Sequence, residues 1–442
     1  MTARLYFRAP GEKRRGPRGV TAVIHLDEPA ADGYPLHHNL DKLPGGPHPP
    51  GSGAVSFLLT SLAVWAADKL LPRNLTPDAW TRAIELNLPA GPSWLRLAPR
   101  LEKLLNFLTG DVWVLKLRES HLGFTPQSRW EHPWLPDEVV LFSGGLDSLA
   151  GAVDRLEAGR RVLLLSHYDF GQLAATQQTL ADALEQHYGP DRVCHLGLRM
   201  QFPEAPELTL RSRSLLYLGL AVAAAAALGA GTPVVIPENG WISLNLPLTA
   251  SRLGSYSTRT THPYFLQGLA SLWREAGLAH PLVNPHQALT KGEVLESCRN
   301  RGLLKELCRR TVSCARPVVA RWRGQGERGQ ESCGYCYPCL IRRAALNRLG
   351  WDEGADYGLD VLAEKETLVH RVRGRDLRAL LLALKTWDQS PWELEARWWL
   401  GESPGEILAR YPQARAVLAA GFAELSKFFG DKGPEWVKEY LT

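Results

Sequence analysis

The sequence predicts an α/β fold built on a parallel sheet with helices on both faces. Between residues 138 and 238, short apolar runs alternate with longer stretches whose apolar residues recur at helical spacing. Strands that alternate with helices are typical of parallel sheets, because each crossover must carry the chain back to the same end of the sheet. Ligands of such sheets bind beyond the carboxyl ends of the strands, so the segments that follow the strands are the candidate functional segments.

The elements of this region follow from the apolar runs and the turns between them. Strands are predicted over 139–142, 161–168, 192–198 and 233–238. Helices are predicted from about Leu146, over 172–187 and over 212–229. The segments that follow the strands, and that we expect to carry function, are 143–148, 166–172, 199–213 and 238–262.

Two further regions flank this α/β region. Residues 1–123 read as an α+β accessory domain of about four strands and two helices, the helices lying over 54–71 and 93–108. Residues 124–137 form a linker with prolines and tryptophans, and residues 138–350 form the central domain. Residues 351–442 read as helical, with predicted helices over 375–387, 391–400, 404–411 and 414–429.

Composition excludes several classes of protein. The 442 residues carry 51 basic and 46 acidic side chains, and this balance does not indicate a nucleic-acid partner. The first ten residues are polar and basic, so no signal peptide is expected. The most apolar long window, 215–230, is rich in alanine and shorter than a bilayer span, which favours a buried helix over a membrane segment. We therefore expect a cytoplasmic protein without a membrane partner or direct nucleic-acid binding.

The loop after the first strand of the central region has the sequence SGGLDS, over residues 143–148. It is not a P-loop, since no lysine follows Gly145, and its adjacent glycines do not match a dinucleotide fingerprint. Backbone amides from Gly144 to Ser148 and the hydroxyls of Ser143 and Ser148 can surround an anion at the helix N-terminus. Asp147 would repel a phosphate unless Mg²⁺ lies between them. An ordinary strand-to-helix turn is the alternative.

Four of the seven cysteines are grouped near residue 330. They are Cys314, Cys333, Cys336 and Cys339. Two CxxC spacings that share one cysteine supply three thiolates and Cys314 supplies a fourth, which fills the tetrahedral shell of a structural Zn²⁺. An iron–sulfur cluster and a chance grouping of reduced thiols are the alternatives. Cys194, Cys298 and Cys308 have the spacing of core positions, and we expect them to be inert.

Together these motifs resemble a known family. SGGLDS after a strand is similar to the signature of the PP-loop ATP pyrophosphatases, whose fold is that of the adenine nucleotide alpha hydrolases. With the cysteines and the following LIRRAAL (340–346), the order of motifs resembles QueC, the 7-cyano-7-deazaguanine (preQ0) synthase family. YDFGQ (168–172), RSLLYLGLA (213–221) and NPHQALTKGEVLE (284–296) also resemble QueC segments in order. The likeness spans roughly 138–350.

The resemblance implies roles for individual residues. It places ATP and its pyrophosphate, with Mg²⁺, on the loop residues Ser143, Gly144, Gly145, Leu146, Asp147 and Ser148. It implies adenosine contacts for His167 and Tyr168, past the second strand. Lys291 matches the family lysine and would neutralise charge that develops on pyrophosphate, which makes Asp147, Ser148 and Lys291 the candidate catalytic residues.

The substrate residues rest on weaker signals. Arg213 stands at a helix start, Glu238 ends the fourth strand, and Arg259 lies in a long polar loop. Two of them have a structural alternative, since Arg213 fits a surface position and Glu238 fits an ordinary turn. Lys291 has one too, because Thr290 and Glu293 form the pattern of a helix capping box.

The activity that the resemblance implies is adenylation of a 7-carboxy-7-deazaguanine-type carboxylate, with ATP converted to AMP and pyrophosphate, followed by amide and nitrile formation. The family also suggests a homodimer. The added regions resemble those of enlarged QueC-like proteins from bacterial anti-phage systems (Qat and CBASS), in which a partner protein would bind the N- or C-terminal region and offer an amine. A non-catalytic nucleotide-sensing subunit and a tRNA-modifying PP-loop enzyme are the alternative functions.

Overall fold

The computed structural model describes residues 2–9, 12, 16–26, 33–45, 49–120, 128–202, 205–249, 259–315, 332–400 and 411–441. Nearly all of the predicted helix over 404–411, most of the segment between Cys314 and Cys333, and part of the predicted substrate loop fall on residues 401–410, 316–331 and 250–258, outside these ranges. The chain divides into two compact units. The first comprises Met1–Ser143, Ala158–Ile236 and Tyr256–Asn284, and the second comprises Gly144–Glu157, Pro237–Ser255 and Pro285–Thr442.

The described residues form strands and helices that we number in chain order. Strands β1 to β13 are Thr2–Arg8, Ala22–His25, Tyr34–Pro35, His37–His38, Pro44–Gly45, Ala83–Ala90, Val112–Glu119, Ser128–Arg129, Glu138–Leu141, Val162–Tyr168, Val193–Gln201, Val234–Val235 and Leu282–Val283. Helices α1 to α9 are Ser52–Leu70, Pro92–Leu95, Ala98–Thr109, Leu146–Glu157, Gly171–Tyr188, Arg213–Leu228, Gly240–Ser243, Pro263–Glu275 and Lys291–Ser297. Helices α10 to α16 are Arg301–Cys308, Tyr337–Arg348, Glu366–Val369, Arg375–Gln389, Pro391–Leu400, Ala414–Lys432 and Glu435–Lys438.

The predicted parallel sheet is present in the first unit. Its strand order is β13-β12-β9-β10-β11-β4, and the first five strands pair in parallel. Strand β4, from the N-terminal region, adds to the β11 edge in the antiparallel direction. Strand β9 and nearly all of β10 are buried, as expected for parallel strands that are covered on both faces. The fold class predicted from the sequence is therefore confirmed.

The N-terminal region forms a second sheet in the same unit. Its order is β3-β2-β1-β6-β7, and each of its pairs is parallel. Residues 1–123 contain seven described strands where the sequence indicated about four, because the two-residue strands β3, β4 and β5 are too short to leave a pattern. Helix α1 packs on β6 and against α6, which packs on β9 and β12 of the other sheet. The two helices thus join both sheets around one hydrophobic core.

Helix α1 is buried along nearly its whole length. By length and composition it is apolar enough to cross a membrane, but 89% of its most apolar window is buried inside the protein, as in the core helix of a soluble protein. Its hydroxyl groups are satisfied within the helix, since Thr60 Oγ1 donates to Ser56 O at 2.7 Å and Ser61 Oγ donates to Phe57 O at 2.8 Å. The helix therefore belongs to the core of the first unit.

A buried ionic cluster fixes the end of α1 to the second sheet. Arg73 holds Asp111 with two hydrogen bonds of 2.8 Å, and Arg82 bonds to both Asp111 and Asp68. Their carboxylates are fully buried, and every acid in the cluster faces two arginines. Removal of one member would leave an uncompensated buried charge, which typically costs about 3–5 kcal/mol. The cluster is therefore a structural lock and not a reactive site.

The C-terminal helices belong to the second unit. Helices α13, α14 and α15 closely match the ranges predicted from the sequence. Phe422 of α15 stacks on Trp387 with ring centroids 4.5 Å apart and meets Trp241 edge-on at 5.0 Å. The neighbouring Gly421 has no room for a side chain, since an added Cβ would lie 2.0 Å from the Trp241 ring. Aromatic packing thus connects the C-terminal helices to α7.

The close approach of α1 and α6 in the first unit can be tested by substitution of Gly219. An added Cβ at Gly219 would lie 2.5 Å from Ser61 Oγ and 2.6 Å from Ser61 Cβ. We expect Gly219→Ala to lower the free energy of unfolding by about 1–3 kcal/mol because two packed helices must separate. Urea denaturation measures this. Gly171→Ala, where nothing lies within 4 Å of the added Cβ, is the matched control and should change stability little. Equal effects at both positions would contradict the close approach.

Candidate functional site

The SGGLDS loop follows β9 in the chain and leads directly into α4. Gly144 has a φ of +80°, a left-handed conformation that glycine adopts without strain. Its carbonyl accepts a hydrogen bond of 2.9 Å from Val312 N–H, and Leu146 N–H donates to Ser313 Oγ at 3.3 Å. Ser148 Oγ donates to Gly145 O at 2.8 Å. The loop is therefore braced both by the first turn of its own helix and by the segment that immediately precedes Cys314.

Asp147 and Lys291 form a buried ion pair at this helix start. The Lys291 ammonium contacts Asp147 Oδ2, and the two side chains are 6% and 11% exposed. Asp147 Oδ2 also accepts a hydrogen bond of 3.0 Å from Asn239 Nδ2. Burial alone would raise the pKa of Asp147, but the Lys291 charge and the hydrogen bonds outweigh it, so the pKa lies below its ordinary value. Asp147 is thus held as a carboxylate.

Lys291 is the first residue of α9, and its side chain extends from there to Asp147. The predicted capping box is confirmed, since Thr290 N–H donates to Glu293 Oε2 at 2.8 Å and Glu293 N–H donates to Thr290 Oγ1 at 3.2 Å. The capping role and the functional role are therefore compatible. Thr290 and Glu293 form the cap, while the Lys291 side chain points to Asp147.

Glu238 completes a carboxylate pair with Asp147. Asn239 Nδ2 lies 3.0 Å from Asp147 Oδ2 and 3.1 Å from Glu238 Oε1, so one amide nitrogen bridges both acids. Burial and, after it, the negative charge of Asp147 raise the pKa of Glu238 well above 4.5. Asp147 Oδ1 is buried and accepts no hydrogen bond from the described residues. Two carboxyl groups therefore share one lysine, an arrangement that favours a proton or a cation.

Sequence reasoning missed the part that Asn239 plays here. The sequence offers an ordinary turn at Glu238-Asn239-Gly240 as the alternative to a substrate role for Glu238, and in the structure Asn239 is the N-cap of α7, with its Oδ1 accepting Ile242 N–H at 3.0 Å. The signal was available, because asparagine directly before a helical run is a preferred N-cap. An N-cap asparagine has a fixed side chain, and its free amide hydrogens point back toward the two acids.

The predicted adenosine and substrate residues lie in the first unit. His167 is fully buried, and burial and the Arg213 charge keep its pKa well below 6.5, so its ring is neutral. Tyr168, next to it, is half-buried at the end of β10. Arg213 is the first residue of α6, and its guanidinium lies 5.7 Å from the Tyr217 ring, whose other neighbour is the His167 ring at 5.4 Å. His167 and Arg213 therefore both lie beside the Tyr217 ring.

Arg259 has a structural contact that the sequence did not reveal. It begins a short 3-10 turn, Arg259–Thr261, and is buried. Its guanidinium stacks 4.4 Å from the Phe107 ring, and Nη1 donates to Phe107 O at 3.2 Å. The contact with Phe107 does not test a substrate role, which stays a prediction.

The four clustered cysteines come together as a compact group. Their sulfur atoms all lie within 4.8 Å of one another, with separations of 3.9 Å for Cys314–Cys336 and for Cys333–Cys339. A tetrahedral zinc ion with bonds of about 2.3 Å requires sulfurs about 3.8 Å apart, so the group fits one Zn²⁺. A multi-iron cluster would spread the thiolates further. Gly334 permits the tight turn, since an added Cβ would lie 2.0 Å from Leu359 O.

The three remaining cysteines are core thiols, as the sequence predicted. Cys298 and Cys308 are buried and Cys194 is half-buried. Burial raises the pKa of Cys194 and of Cys298 to about 12, and it raises that of Cys308 as well. They stay protonated at neutral pH and are poor nucleophiles.

The pH dependence of stability tests the carboxylate pair. A raised folded-state pKa means that Glu238 stabilises the protein fully below pH 4.5 and loses this contribution as pH rises through the raised value. We expect Glu238→Gln to remove this loss, with a slope difference of up to about 1.4 kcal/mol per pH unit. Denaturant titrations in metal-free buffer, at a series of pH values from 4.5 upward, measure the slope of the free energy of unfolding against pH. The exposed Glu306→Gln is the control, and identical slopes in all three proteins would refute the pairing.

Metal analysis tests the cysteine group. Cys336→Ser removes one of four ligands, so we expect zinc content to fall well below one ion per chain and the melting temperature to drop. Elemental analysis and thermal unfolding measure both. Cys194→Ser, which lies outside the group, should keep its zinc. A Cys336→Ser protein with full zinc content would overturn the assignment.

Comparison with known proteins finds relatives that match about half of the chain. A 7-cyano-7-deazaguanine synthase from Novosphingobium aromaticivorans is 28% identical over 251 residues, which are 51% of this chain and 96% of that protein. The synthase of the same name from Synechococcus elongatus is 26% identical over 245 residues, which are 49% of this chain and 93% of that protein. No family model matches the chain, and no solved structure matches it.

These relatives agree with the family that the order of the motifs indicated. The match covers nearly their whole length, whereas about half of this chain has no counterpart in them. The chain is therefore QueC-like, with one half related to the 7-cyano-7-deazaguanine synthases.

Proposed function

We propose that the protein is an adenylating enzyme that activates a 7-carboxy-7-deazaguanine-type carboxylate with ATP and then forms a carbon–nitrogen bond. The observation that carries the proposal is the buried Asp147–Lys291 pair at the helix start that follows SGG. A buried pair beside a loop of backbone amides combines a cation for phosphate with a carboxylate for a metal ion. The curated relatives, named 7-cyano-7-deazaguanine synthases, support the same chemistry.

In this proposal the loop binds the β- and γ-phosphates of ATP. The residues that contribute amides or hydroxyls are Ser143, Gly144, Gly145, Leu146 and Ser148. The positive end of α4 adds about half an elementary charge, and Lys291 adds a full one. The adenosine role that the resemblance implies for His167 and Tyr168, at the end of β10 in the first unit, stays a prediction.

Asp147 and Glu238 would hold the Mg²⁺ that accompanies the phosphates. The residues fit this ion, because Mg²⁺ prefers carboxylate oxygens and Asp147 Oδ1 is a buried acceptor that no described residue occupies. The ion would neutralise phosphate charge and orient the polyphosphate chain. The substrate role expected for Glu238 from the sequence stays a prediction, and the metal role is proposed because the carboxyl lies against Asp147.

The first step transfers the adenylyl group. An oxygen of the substrate carboxylate attacks the α-phosphorus, the bond from that phosphorus to the bridging oxygen breaks, and pyrophosphate leaves with the bond electrons. Lys291 would stabilise the charge that develops on the leaving oxygen. A nitrogen nucleophile then attacks the acyl carbon, AMP leaves, and an amide forms. A second activation by ATP would remove the elements of water from the amide and give a nitrile.

The substrate would be an acid with a purine-like ring. Arg213, at the start of α6, is the candidate partner for a carboxylate or phosphate. Arg259, stacked on Phe107, offers a second cation in the same unit. These assignments rest on charge and position alone.

The half of the chain that exceeds its relatives supports a more specific proposal. Enlarged QueC-like proteins would bind a partner protein through the N- or C-terminal region, and an amine on that partner would replace ammonia. An anti-phage setting, a homodimer and a cytoplasmic location belong to the same proposal. A non-catalytic nucleotide sensor is the alternative that it must exclude.

AMP release is the direct test of the adenylating function. Purified protein with ATP, Mg²⁺ and 7-carboxy-7-deazaguanine should form AMP and pyrophosphate in equal amounts. Asp147→Ala should lower this rate by at least about 100-fold, because it removes a ligand of the metal ion and leaves Lys291 unpaired. Asp182→Ala, an exposed change on α5, should retain full activity. ATP binding without AMP formation in the unaltered protein would favour the nucleotide sensor.

Mass spectrometry of the products identifies the nucleophile. With ammonium alone, an enzyme that ligates to a partner should accumulate adenylate or amide, and with its partner it should add the deazaguanine acyl group to the protein. Full conversion to the nitrile with ammonium, and no mass added to any candidate partner, would refute the ligation proposal while leaving adenylation intact.

A further inference from the structure

Glu424 lies within α15 of the C-terminal helical region and is buried. Its carboxylate points to the beginning of α9, the short helix that carries Lys291. Oε2 accepts a hydrogen bond of 2.7 Å from Thr290 Oγ1 and one of 3.0 Å from Gly292 N–H. Glu424 therefore binds the residue before Lys291 and the residue after it.

The contact with Gly292 requires a glycine. An added Cβ at this position would lie 2.1 Å from Glu424 Oε2 and 2.9 Å from the Cδ atom of Arg348. The carboxylate therefore occupies the space that any other side chain would fill. This close approach lets an acid from a distant part of the sequence reach a backbone amide in the first turn of α9.

Glu424 also completes the cap of α9. Thr290 Oγ1 accepts Glu293 N–H and donates its own hydrogen to Glu424, so the hydroxyl orientation is fixed from both sides. The amides of Gly292 and Glu293, two of the unpaired N–H groups of the first turn, are thereby satisfied. The position of the Lys291 backbone is set by these bonds on either side of it.

We propose that Glu424 is a positioning residue for Lys291, so that the C-terminal helical region is part of the ATP-activating site. The proposal rests on the proposed function, since it assigns Lys291 a role in pyrophosphate release. A lysine on a long flexible stem neutralises a phosphate well only when its backbone is held, and misplacement by about 1 Å can cost on the order of 100-fold in rate. Glu424 provides that hold from an element well outside the SGGLDS loop.

The charged groups around Glu424 give the contact a pH dependence. Burial raises the pKa of Glu424 to about 7, with Glu293 adding to the rise and Thr290, Arg348 and Gly292 opposing it. Arg348 Nη1 lies 3.9 Å from Glu424 Oε2. Ionisation of Glu424 near neutral pH strengthens the hydrogen bonds that it accepts from Thr290 and Gly292. The same ionisation lowers the stability of the folded protein, because a buried acid is favoured in its protonated form. Activity and stability should therefore change in opposite directions.

The experiment compares Glu424→Ala, Glu424→Gln and the unaltered full-length protein. We expect Glu424→Ala to lower kcat/KM for AMP formation by about 10- to 100-fold, mainly through kcat. Glu424→Gln keeps an acceptor oxygen and should restore most of the activity. Between pH about 5 and 8, kcat/KM should rise in the unaltered protein relative to Glu424→Gln, while its stability should fall relative to the same variant. Lys427→Ala, an exposed change on the same helix, is the control.

A labelling readout separates this proposal from the proposed function. Lys291 should acylate faster with an N-hydroxysuccinimide ester in Glu424→Ala than in the unaltered protein or Glu424→Gln, as followed by mass spectrometry of its peptide. Faster labelling in a protein that forms no AMP would support the positioning and refute the proposed function. Equal labelling, or a loss of activity in Glu424→Gln as large as in Glu424→Ala, would overturn the positioning role.

Discussion

The ion pair between Asp147 and Lys291 is the interaction around which the second compact unit is arranged. Two charges withdrawn from water are costly unless each is paired and hydrogen-bonded. Asn239 bonds to the acid, and the capping box of α9 holds the backbone of the lysine. Elements from three separate parts of the sequence thus converge on one pair. Glu238 adds a second carboxyl group beside the pair, and burial and the Asp147 charge raise the pKa of Glu238 well above 4.5, which favours its protonated form.

This second carboxyl group distinguishes the site from the buried ionic cluster of the first unit. In the cluster of Asp68, Asp111, Arg73 and Arg82 in the first unit, each acid contacts both arginines. At Asp147 one buried oxygen has no described donor, and a second acid lies beside it. The first arrangement gives each acid two arginines, whereas the second gives two carboxyl groups one lysine. That contrast, more than the motif alone, directs attention to Asp147 and Glu238.

Local patterns in the sequence predicted the framework well. The parallel sheet followed from alternating apolar runs, and Thr290 with Glu293 predicted a cap that the structure contains. The cysteine spacing predicted a compact sulfur group. Contacts between distant segments left no such pattern. Glu424 lies more than a hundred residues from Thr290, and Glu238 meets Asp147 only because the fold brings their segments together. The parallel direction of the N-terminal strands was hidden for the same reason, since pairing partners are not encoded locally.

The segment Val312-Ser313-Cys314 links the SGGLDS loop to the cysteine group. Its first two residues bond to the backbone of Gly144 and Leu146, and its third is a member of the cysteine group. The loop and the four cysteines are therefore contacted by one short piece of chain. Under the proposed zinc assignment, a newly made chain without its ion would lack a fixed anchor at one end of this piece, and the loop would become ordered only after metal uptake.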